Sequence, residues 1–430
     1  MPSDSAKLSY DGKSLDLAVI EGSENERAVD IAELRSETGL VTLDPSYANT
    51  GSTTSKITFI DGDKGVLRYR GYPLEQLAAK SNFIETSFLL IYGRLPNTKD
   101  LDETNRTLSQ HVFIHEDVRE VIDAYPSNAH PMAILSATTS SLSAFYPDVM
   151  DVNNRDNLDL TIARLMAKIP TIASFIFRKM DGRPHVYPKR KLPYVENLLH
   201  MMFSTPTEPY EPHPEEIKAL DLMLLLHADH EQNCSTSTVR LVGSAETNLF
   251  ASIAAGMCAL WGPLHGGANE AVVNMLTRIH ESGGDVAEYV RKVKDKSSGL
   301  KLMGFGHRVY KNLDPRASII KIQTDRLLAA LKRTDPLLDI AKRLEETALE
   351  DPYFIDRKLY PNVDFYSGVI YRAMRIPVKM FTVMFALGRL PGWIAHWKEM
   401  LETPGRRIGR PRQIYTGERQ RDYVDISQRP

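Results

Sequence analysis

The sequence predicts a mainly α-helical protein with two helical lobes, preceded by a short β-rich unit. Apolar residues recur at helical intervals from Pro73 onwards. Strand-like alternation is confined to about the first sixty residues, and no series of alternating strands and helices follows it. These three observations together indicate a helical, enzyme-sized chain.

The β-rich unit is predicted over residues 1–60. Leu15, Leu17 and Val19 alternate with other residues, as do Ile57 and Phe59, and Gly and Asp-Pro turn signals separate such runs. From Pro73 to Tyr92 the spacing becomes helical. Further helices are expected at Asp102–His115, Met132–Phe145, Leu158–Phe177, Pro214–Asp229, Asn248–Leu260 and Ala268–Ile279.

Glycine and proline cluster between residues 280 and 380, at Gly283-Gly284, at Gly304 and Gly306, and at Pro361. This predicts a small helical domain over 280–381. The large helical domain would then comprise 61–279 and 382–430.

Composition excludes several classes of protein. The 430 residues carry 53 Lys plus Arg against 55 Asp plus Glu, a formal charge of −2, which does not suit nucleic-acid binding by bulk electrostatics. Two cysteines are too few for a disulfide framework or a Cys-rich metal site. The longest nearly apolar run, Leu249–Trp261, is too short to span a bilayer, and Met1–Asp16 does not resemble a signal peptide. We expect a soluble, cytoplasmic protein without membrane partners.

A first polar cluster, His-Ala-Asp-His-Glu-Gln-Asn at 227–233, follows an apolar helix that begins near Pro214. Helical spacing would place His227 and His230 on one face. The cluster is either a hydrogen-bonded helix end or a metal site, because His/Asp/His sets ligate zinc. No clear further ligand accompanies it, so we predict no metal.

A second cluster contains His265, within Gly-Pro-Leu-His-Gly-Gly at 262–267, between a helix of small residues and the next helix. A histidine just before a helix N-terminus is held neutral, as in triosephosphate isomerase, and can donate a hydrogen bond. The flanking glycines allow a ligand to approach the backbone. A purely structural turn is the alternative.

A third cluster runs from Gly304 to Lys311 and presents His307 beside several cations. It lacks the third glycine of a dinucleotide fingerprint. Asp314 is a suitable N-cap for a helix that starts at Pro315, which would place Arg316 at the positive helix end. That position favours an anionic ligand, although a solvated basic loop is also compatible with the sequence.

Asp364, between Val363 and Phe365, has apolar neighbours that would raise its pKa towards general-base work, or it only caps the following helix. Arg389 follows the apolar run Met380–Leu387 and would need an anionic partner if buried. Arg410 alone would pass for part of a basic tail.

Taken together, the motifs at 227–233, 262–266, 304–316 and Pro-Asn-Val-Asp at 361–364 resemble those of citrate synthases, in the same order and spacing. The match extends from about Asp61-Gly62 to Pro411–Tyr415. The β-rich unit resembles that of the longer, bacterial type II enzymes. The resemblance implies the all-helical citrate synthase fold and condensation of acetyl-CoA with oxaloacetate, followed by hydrolysis of citryl-CoA.

The resemblance also implies residue roles. Asp364 would be the base, His265 would stabilise the enol(ate), and His307 would polarise the oxaloacetate ketone. The residues implied for the dicarboxylate are His227, His230, Arg316, Arg389 and, from a neighbouring subunit, Arg410. Those implied for CoA are Leu264, Gly304, Phe305, Gly306, Lys311 and Asn362.

No metal or redox cofactor is implied, since acetyl-CoA is a substrate. Family members are dimers, and type II enzymes are often hexamers. Many are inhibited by NADH, and Arg164 and Lys168 match positions of that allosteric site. Gln110, Phe113 and Thr207 depart from it, so we expect weak or absent NADH inhibition.

Three alternatives are also compatible with the sequence. A 2-methylcitrate synthase would use propionyl-CoA on the same scaffold, although such relatives are usually shorter. A zinc hydrolase would use His227, Asp229 and His230. A non-catalytic CoA or NADH sensor would bind ligand without releasing free CoA thiol.

Overall fold

Strands form two small antiparallel sheets in the computed structural model, which describes residues 5–154, 157–306 and 309–429. The first sheet contains β1 (Ser5–Tyr10), β2 (Lys13–Glu21) and β3 (Arg27–Val29), with Ala6 opposite Leu17. The second contains β4 (Thr58–Asp61), β5 (Val66–Tyr69) and β6 (Tyr72–Pro73). The predicted β-rich start is therefore confirmed.

Helices make up most of the rest of the described chain, which confirms the predicted fold class. In order they are α1 (Leu34–Thr38), α2 (Leu74–Lys80), α3 (Phe83–Tyr92), α4 (Thr98–Gln110), α5 (Glu116–Asp123), α6 (Pro131–Phe145), α7 (Leu158–Met180), α8 (Tyr194–Phe203), α9 (Pro214–Leu226), α10 (Cys234–Gly243), α11 (Leu249–Trp261), α12 (Ala268–Glu281), α13 (Val286–Lys294), α14 (Pro315–Ala330), α15 (Pro336–Glu350), α16 (Pro352–Asp356), α17 (Val363–Ala373) and α18 (Phe381–Glu402).

The chain divides into two compact units. One comprises Met1–Thr54 with Gly409–Pro430 and holds the first sheet, with α1 against β2. The other, Ser55–Ile408, holds the second sheet and α2–α18. The boundary after Thr54 and the grouping of 409–430 differ from the predicted domain limits. The division into lobes at 280–381 stays a prediction.

Two predicted helices have different limits in the structure, and local capping explains where one of them begins. The segment expected at Asp102–His115 is α4, which begins after a capping box between Asn97 and Asp100 and ends at Gln110. The helix expected to reach Asp229 stops at Leu226, and Glu231 has a left-handed φ of 50°. His227 and His230 therefore lie in a turn between α9 and α10, and the expectation that they share a helical face was wrong.

One helix, α7, is long and apolar enough to cross a membrane by length and composition. In its most apolar 18-residue window, 83% of the residues are buried inside the protein. It packs against α4, α5, α6, α8 and α18. In this fold α7 is a core helix.

Helix α18 runs through the centre of the larger unit, and all but three of its residues are buried. Two glycines one turn apart let it approach the end of α9. A Cβ atom on Gly388 would lie 2.9 Å from the Leu224 carbonyl oxygen, and one on Gly392 would lie 2.2 Å from the Ala228 carbonyl oxygen. These close approaches hold the 227–230 turn against α18.

Gly392→Ala should therefore destabilise the fold. The added methyl group would press against the Ala228 carbonyl oxygen and cannot rotate away from it. We therefore expect the free energy of unfolding to fall by about 1–3 kcal/mol. Urea unfolding followed by circular dichroism would measure it. Gly51→Ala is the control, because a Cβ atom there meets nothing within 4 Å. Equal stability of the two variants would contradict the prediction.

Candidate active site

The turn between α9 and α10 presents two buried histidines. His227 lies at the C-terminal end of α9, and its Nδ1 is 2.7 Å from the Met223 carbonyl oxygen. That acceptor requires the proton on Nδ1, so Nε2, which is buried without a partner, carries the lone pair. Burial lowers the pKa of His227 to about 3, so the ring is neutral. His230 Nε2 lies 3.2 Å from the hydroxyl of Tyr310.

His265 is half-buried in the turn after α11. The backbone N–H of Ser235, in the first turn of α10, donates to its Nε2 over 3.3 Å. Burial, together with the nearby charge of Arg389, lowers the pKa of His265 to about 4. The ring is thus neutral at pH 7, as the sequence predicted, and burial is the largest cause.

Arg316 is held by a buried carboxylate. Asp314 caps α14, as predicted, and accepts from the Arg316 backbone N–H at 3.0 Å, from Nε at 3.0 Å and from Nη2 at 2.8 Å. The same carboxylate accepts from the Val363 N–H at the start of α17 over 3.1 Å. One aspartate therefore positions both Arg316 and the helix that carries Asp364, and the attraction raises the pKa of Arg316. The sequence indicated only the cap.

Asp364 lies in the first turn of α17. The capping residue is Asn362, whose Oδ1 accepts from the Asp364 N–H at 3.0 Å, so the alternative that Asp364 merely caps this helix was wrong. Burial raises the pKa of Asp364 to about 6, and the charges of Arg316 and Arg389 oppose that rise. A carboxyl group with this pKa is ionised at pH 7 and basic enough to accept a proton.

Arg389 is buried in the middle of α18, 1% exposed. Its Nε donates to the His227 carbonyl oxygen at 2.6 Å, while Nη1 is buried without a partner. Burial lowers its pKa to about 10, so it remains charged at neutral pH. A buried cation with a free donor is suited to an anionic ligand.

Phe385 is a site residue that the sequence did not single out. Its ring centroid lies 4.7 Å from that of His227 and 6.3 Å from that of His265, and the Arg389 guanidinium carbon lies 4.9 Å from it. Phe385 and Arg389 are four residues apart on α18 and so share a face. The four-residue spacing from Arg389 was the signal in the sequence that could have identified Phe385.

The glycine loop at 304–306 lies beside the start of α17. Gly304 and Gly306 have φ values of 77° and 74°, and a Cβ atom on Gly304 would lie 2.6 Å from Val272. Asn362 holds the loop, because its N–H donates to the Gly304 carbonyl oxygen and its Nδ2 to that of Gly306, each at 2.9 Å. Phe305 is buried against Phe365.

The remaining predicted residues fall into different places. Leu264 is 94% exposed, and Lys311 is also exposed. Arg410 is exposed within the unit that contains residues 1–54. His307 lies outside the described residues.

The two cations of the possible NADH site have partners within the chain. Lys168, 3% exposed, donates to the His111 carbonyl oxygen at 3.0 Å and to that of Phe113. Arg164 contacts Asp148 at 2.7 Å and lies 4.5 Å from the centre of the Tyr146 ring. Burial lowers the pKa of Lys168 to about 8.

No group of three or more His, Cys, Asp or Glu residues within the described part of the chain is arranged to hold a metal ion. Asp229 is instead paired with His396, at 3.2 Å between Oδ2 and Nε2. The described residues therefore provide no ligand geometry for the zinc alternative.

Residues 46–412 match the family model described as "Citrate synthase, C-terminal domain". The chain is 56% identical over 426 residues to "Citrate synthase 1" of Mycobacterium tuberculosis, covering 99% of both chains. It is 52% identical over 425 residues to the citrate synthase of Corynebacterium glutamicum, covering 99% of this chain and 97% of that one.

Solved structures agree with this likeness. The citrate synthase of Pyrobaculum aerophilum superposes with a TM-score of 0.82 at 37% identity, covering 91% of this chain and 98% of that one. A ternary complex of the Thermoplasma acidophilum citrate synthase with carboxymethyl coenzyme A and oxaloacetate superposes with a TM-score of 0.81 at 31% identity, covering 89% and 98%.

Proposed function

The chain belongs to the citrate synthase family, and we propose that the cluster around Asp364, His265, Arg316 and Arg389 is its catalytic centre. The enzyme is an acyltransferase that condenses acetyl-CoA with oxaloacetate and hydrolyses citryl-CoA to citrate and CoA, the opening step of the tricarboxylic acid cycle. Nothing among the relatives indicates the propionyl-CoA alternative. The observation that carries the site assignment is the convergence of one raised-pKa carboxyl group, one neutral histidine and two buried arginines.

Oxaloacetate is assigned to the arginine side of the cluster. The unpartnered Nη1 of Arg389 would donate to one carboxylate, and Arg316, held rigid by Asp314, would attract the same dianion. His227 Nε2 can only accept in its neutral form, so its role is to line the site, while His230 would donate to the substrate. The Thermoplasma relative binds oxaloacetate and a CoA analogue, which supports this class of ligand.

Asp364 is assigned as the base that removes a proton from the acetyl methyl group. A thioester α-proton is only weakly acidic, so the reaction needs a base and a donor to the developing enolate oxygen acting together. A carboxylate whose pKa lies at about 6 holds a proton better than an exposed one, which supports Asp364 for this step.

His265 is assigned as the donor. The Ser235 backbone N–H can only donate, so His265 Nε2 is the acceptor and Nδ1 carries the proton. A neutral Nδ1–H group would stabilise the enolate oxygen. The third role, polarisation of the oxaloacetate ketone, is assigned to His307 on the family resemblance.

The kcat/KM for acetyl-CoA should fall as the pH drops through about 6. Asp364 must be ionised to accept the proton, and its pKa is raised to about 6. Below that value, the fraction of enzyme with an ionised Asp364 falls about tenfold for each pH unit. His265 stays neutral in this range, because its pKa is about 4. Initial rates of CoA release between about pH 5 and 8 would measure it. A rate that stays flat down to pH 5 would contradict the assignment.

CoA is assigned to the exposed side of the glycine loop. Lys311 offers a cation for its phosphates, Gly304 to Gly306 allow backbone contact, and the exposed Leu264 offers an apolar surface. Asn362 would act through the loop, since its side chain is already bonded to Gly306 and to the Asp364 N–H. The chemistry needs no resident metal or redox cofactor.

We propose that the enzyme forms dimers, which can assemble further into hexamers. One helical surface supports the dimer. On α6 the exposed residues Ala137, Ser140 and Ala144 are spaced at helical intervals, and α11, which packs beside it, exposes Cys258 and Trp261. A face of small residues and an exposed tryptophan suits contact with a second copy. Arg410 of the neighbouring subunit would then complete the oxaloacetate site.

A mixing experiment tests the shared site. Arg410→Ala and Asp364→Asn chains, each inactive alone, should regain activity when subunits exchange, because half of the sites in a mixed dimer then hold both residues. Sedimentation would report the assembly. Full activity of Arg410→Ala alone would refute the contribution of Arg410.

The enzyme is proposed to be cytoplasmic, to be weakly inhibited by NADH or insensitive to it, and to bind neither nucleic acid nor membranes. The internal bonds of Arg164 and Lys168 support the expectation about NADH, since neither is available without breaking them. Allosteric control through that site is therefore not proposed.

One assay tests the activity itself. Release of free CoA thiol from acetyl-CoA should depend on oxaloacetate and persist in EDTA. A clear preference for propionyl-CoA would refute the assignment to acetyl-CoA, loss of activity in EDTA would revive the zinc alternative, and ligand binding without thiol release would indicate a sensor.

A further inference from the structure

The hairpin formed by β4 and β5 bonds to the 227–231 turn, which carries two histidines of the assigned oxaloacetate site. The Ile60 N–H donates to Glu231 Oε1 at 3.0 Å. The Tyr69 hydroxyl donates to the Asp229 carbonyl oxygen at 3.1 Å and accepts from the Asp229 N–H at 3.3 Å. Tyr69 is fully buried, so water does not compete for these two bonds. The strands of the hairpin therefore fix the backbone of the 227–231 turn.

The tip of the same hairpin, at 62–65, lies against the 309–313 loop, which leads into α14. The Lys311 N–H donates to the Gly62 carbonyl oxygen at 2.8 Å. A Cβ atom on Gly62 would lie 2.2 Å from the Val309 carbonyl oxygen. Glycine is required at this position because the backbone of the loop occupies the space of a side chain.

Bonds within the hairpin tip fix its shape. Asp61 Oδ1 accepts from the N–H groups of Asp63, at 3.1 Å, and Lys64, at 3.0 Å. Gly65 follows with a φ of 67°, and a Cβ atom there would lie 2.7 Å from the Leu313 carbonyl oxygen. The tip and the loop thus meet backbone to backbone at two points, and a displacement at either point would move the loop.

The turn and the loop face each other at the assigned site. Tyr310, in the loop, is 2% exposed, and its hydroxyl lies 3.2 Å from His230 Nε2 in the turn. The guanidinium carbon of Arg316 lies 5.9 Å from the centre of the Tyr310 ring. A dicarboxylate bound by both His230 and Arg316 requires a fixed separation between the turn and the loop, and the hairpin bonds to both.

We propose that the β4–β5 hairpin sets the separation between the two halves of the oxaloacetate site, with Gly62 and Tyr69 as positioning residues. Gly62 places the loop before Arg316, and Tyr69 places the turn that carries His230. A ligand that contacts both halves is bound less tightly when either half shifts, since a displacement of about 1 Å can cost about 100-fold. The inference rests on the proposed oxaloacetate site.

Steady-state kinetics give the first readout. Gly62→Ala should raise the KM for oxaloacetate by about 10–100-fold, because the added methyl group displaces the Val309 carbonyl oxygen and the loop with it. Tyr69→Phe removes one hydroxyl and keeps the ring, so the expected rise is about 3–10-fold. The kcat should fall by less than the KM rises, because Asp364 and His265 are held by α17 and α10 instead.

Two variants elsewhere in the fold are matched controls. The Tyr194 hydroxyl also donates to a backbone carbonyl oxygen, that of Met166, at 3.1 Å. A Cβ atom on Gly243 would lie 2.7 Å from the Trp397 ring. Tyr194→Phe and Gly243→Ala should lower the melting temperature and leave the KM for oxaloacetate within about twofold of the parent. If Gly62→Ala does not fold, Tyr69→Phe and its control decide the test.

Hydrogen exchange followed by mass spectrometry gives the second readout, because it reports the two contacts directly. Peptides that cover 309–313 should exchange at least about tenfold faster in Gly62→Ala, and those that cover 227–231 at least about tenfold faster in Tyr69→Phe. Both segments should match the parent in the two controls. A general loss of stability would instead speed exchange in core helices such as α7 as well.

The proposal is overturned if Gly62→Ala and Tyr69→Phe match their controls in the KM for oxaloacetate, or if their two segments keep the exchange rates of the parent. Arg389→Lys separates the two levels of inference, because it alters the assigned carboxylate ligand itself. An unchanged KM in Arg389→Lys would refute the proposed site. A raised KM there, with control-like behaviour of both hairpin variants, would overturn the positioning role alone.

Discussion

Asp364→Asn is expected to fold, to bind oxaloacetate and to lose about 10³–10⁴-fold in kcat. The amide keeps the size of the side chain but cannot accept the methyl proton. Stopped assays of CoA release and calorimetric titration with oxaloacetate would separate turnover from binding. Glu345→Gln is the control, because Glu345 is also a buried carboxylate but accepts from Tyr366 and Lys321.

The same variant has a predicted effect on stability. The folded protein raises the pKa of Asp364 to about 6, so the ionised form is disfavoured by folding. That penalty is absent below about pH 4, develops between about pH 4 and 6, and is complete at pH 7. Asp364→Asn removes the charge and should therefore be more stable than the parent at pH 7, by about 1–3 kcal/mol, and equal to it near pH 4. Near-normal kcat, or lower stability at pH 7, would contradict the environment described for Asp364.

Arg389→Lys is expected to raise the KM for oxaloacetate by about 10–100-fold. The single ammonium nitrogen of lysine cannot occupy the positions of both Nε, which bonds the His227 carbonyl oxygen, and Nη1, which is free for a carboxylate. Arg389→Met removes the charge as well and should raise the KM by at least about 100-fold. Initial-rate measurements with oxaloacetate varied at saturating acetyl-CoA would give both values.

Arg178→Lys is the matched control for Arg389. Arg178 is equally buried, but its guanidinium donates to the backbone carbonyl oxygens of Pro184, Met202 and Ser204. Its replacement should lower the melting temperature and leave the KM unchanged. If Arg389→Lys also changed only the melting temperature, Arg389 would be a structural residue.

The sequence determined the helical class, because apolar residues at helical spacing are a local property that survives in any environment. Caps were also predictable where the capping side chain is a neighbour, as for Asp314 before Pro315. The end of α9 was misjudged, since the turn at 227–231 depends on Gly388 and Gly392 of α18, over 150 positions away.

The site residues were recognisable as motifs, but their chemical states were not. Asp364 has apolar neighbours in sequence, yet its pKa reflects burial balanced against Arg316 and Arg389 from two other helices. His265 was expected to be neutral because of the helix that follows it, while the structure adds burial and the charge of Arg389, neither of which the local sequence shows. Phe385 went unnoticed, because an aromatic residue in an apolar helix is ordinary until its three polar neighbours are known.

The sequence by itself determined which residue types this enzyme has for its chemistry and their order along the chain. It also determined that they lie on or beside apolar and amphipathic helices. Only the tertiary structure decided that Asp314 bonds to both Arg316 and the start of α17, that Arg389 has a free buried donor, and that the β4–β5 hairpin contacts both the 227–231 turn and the 309–313 loop. The physical reason is that helix periodicity and capping act over a few neighbouring residues, whereas burial and charge–charge interactions depend on distance in space.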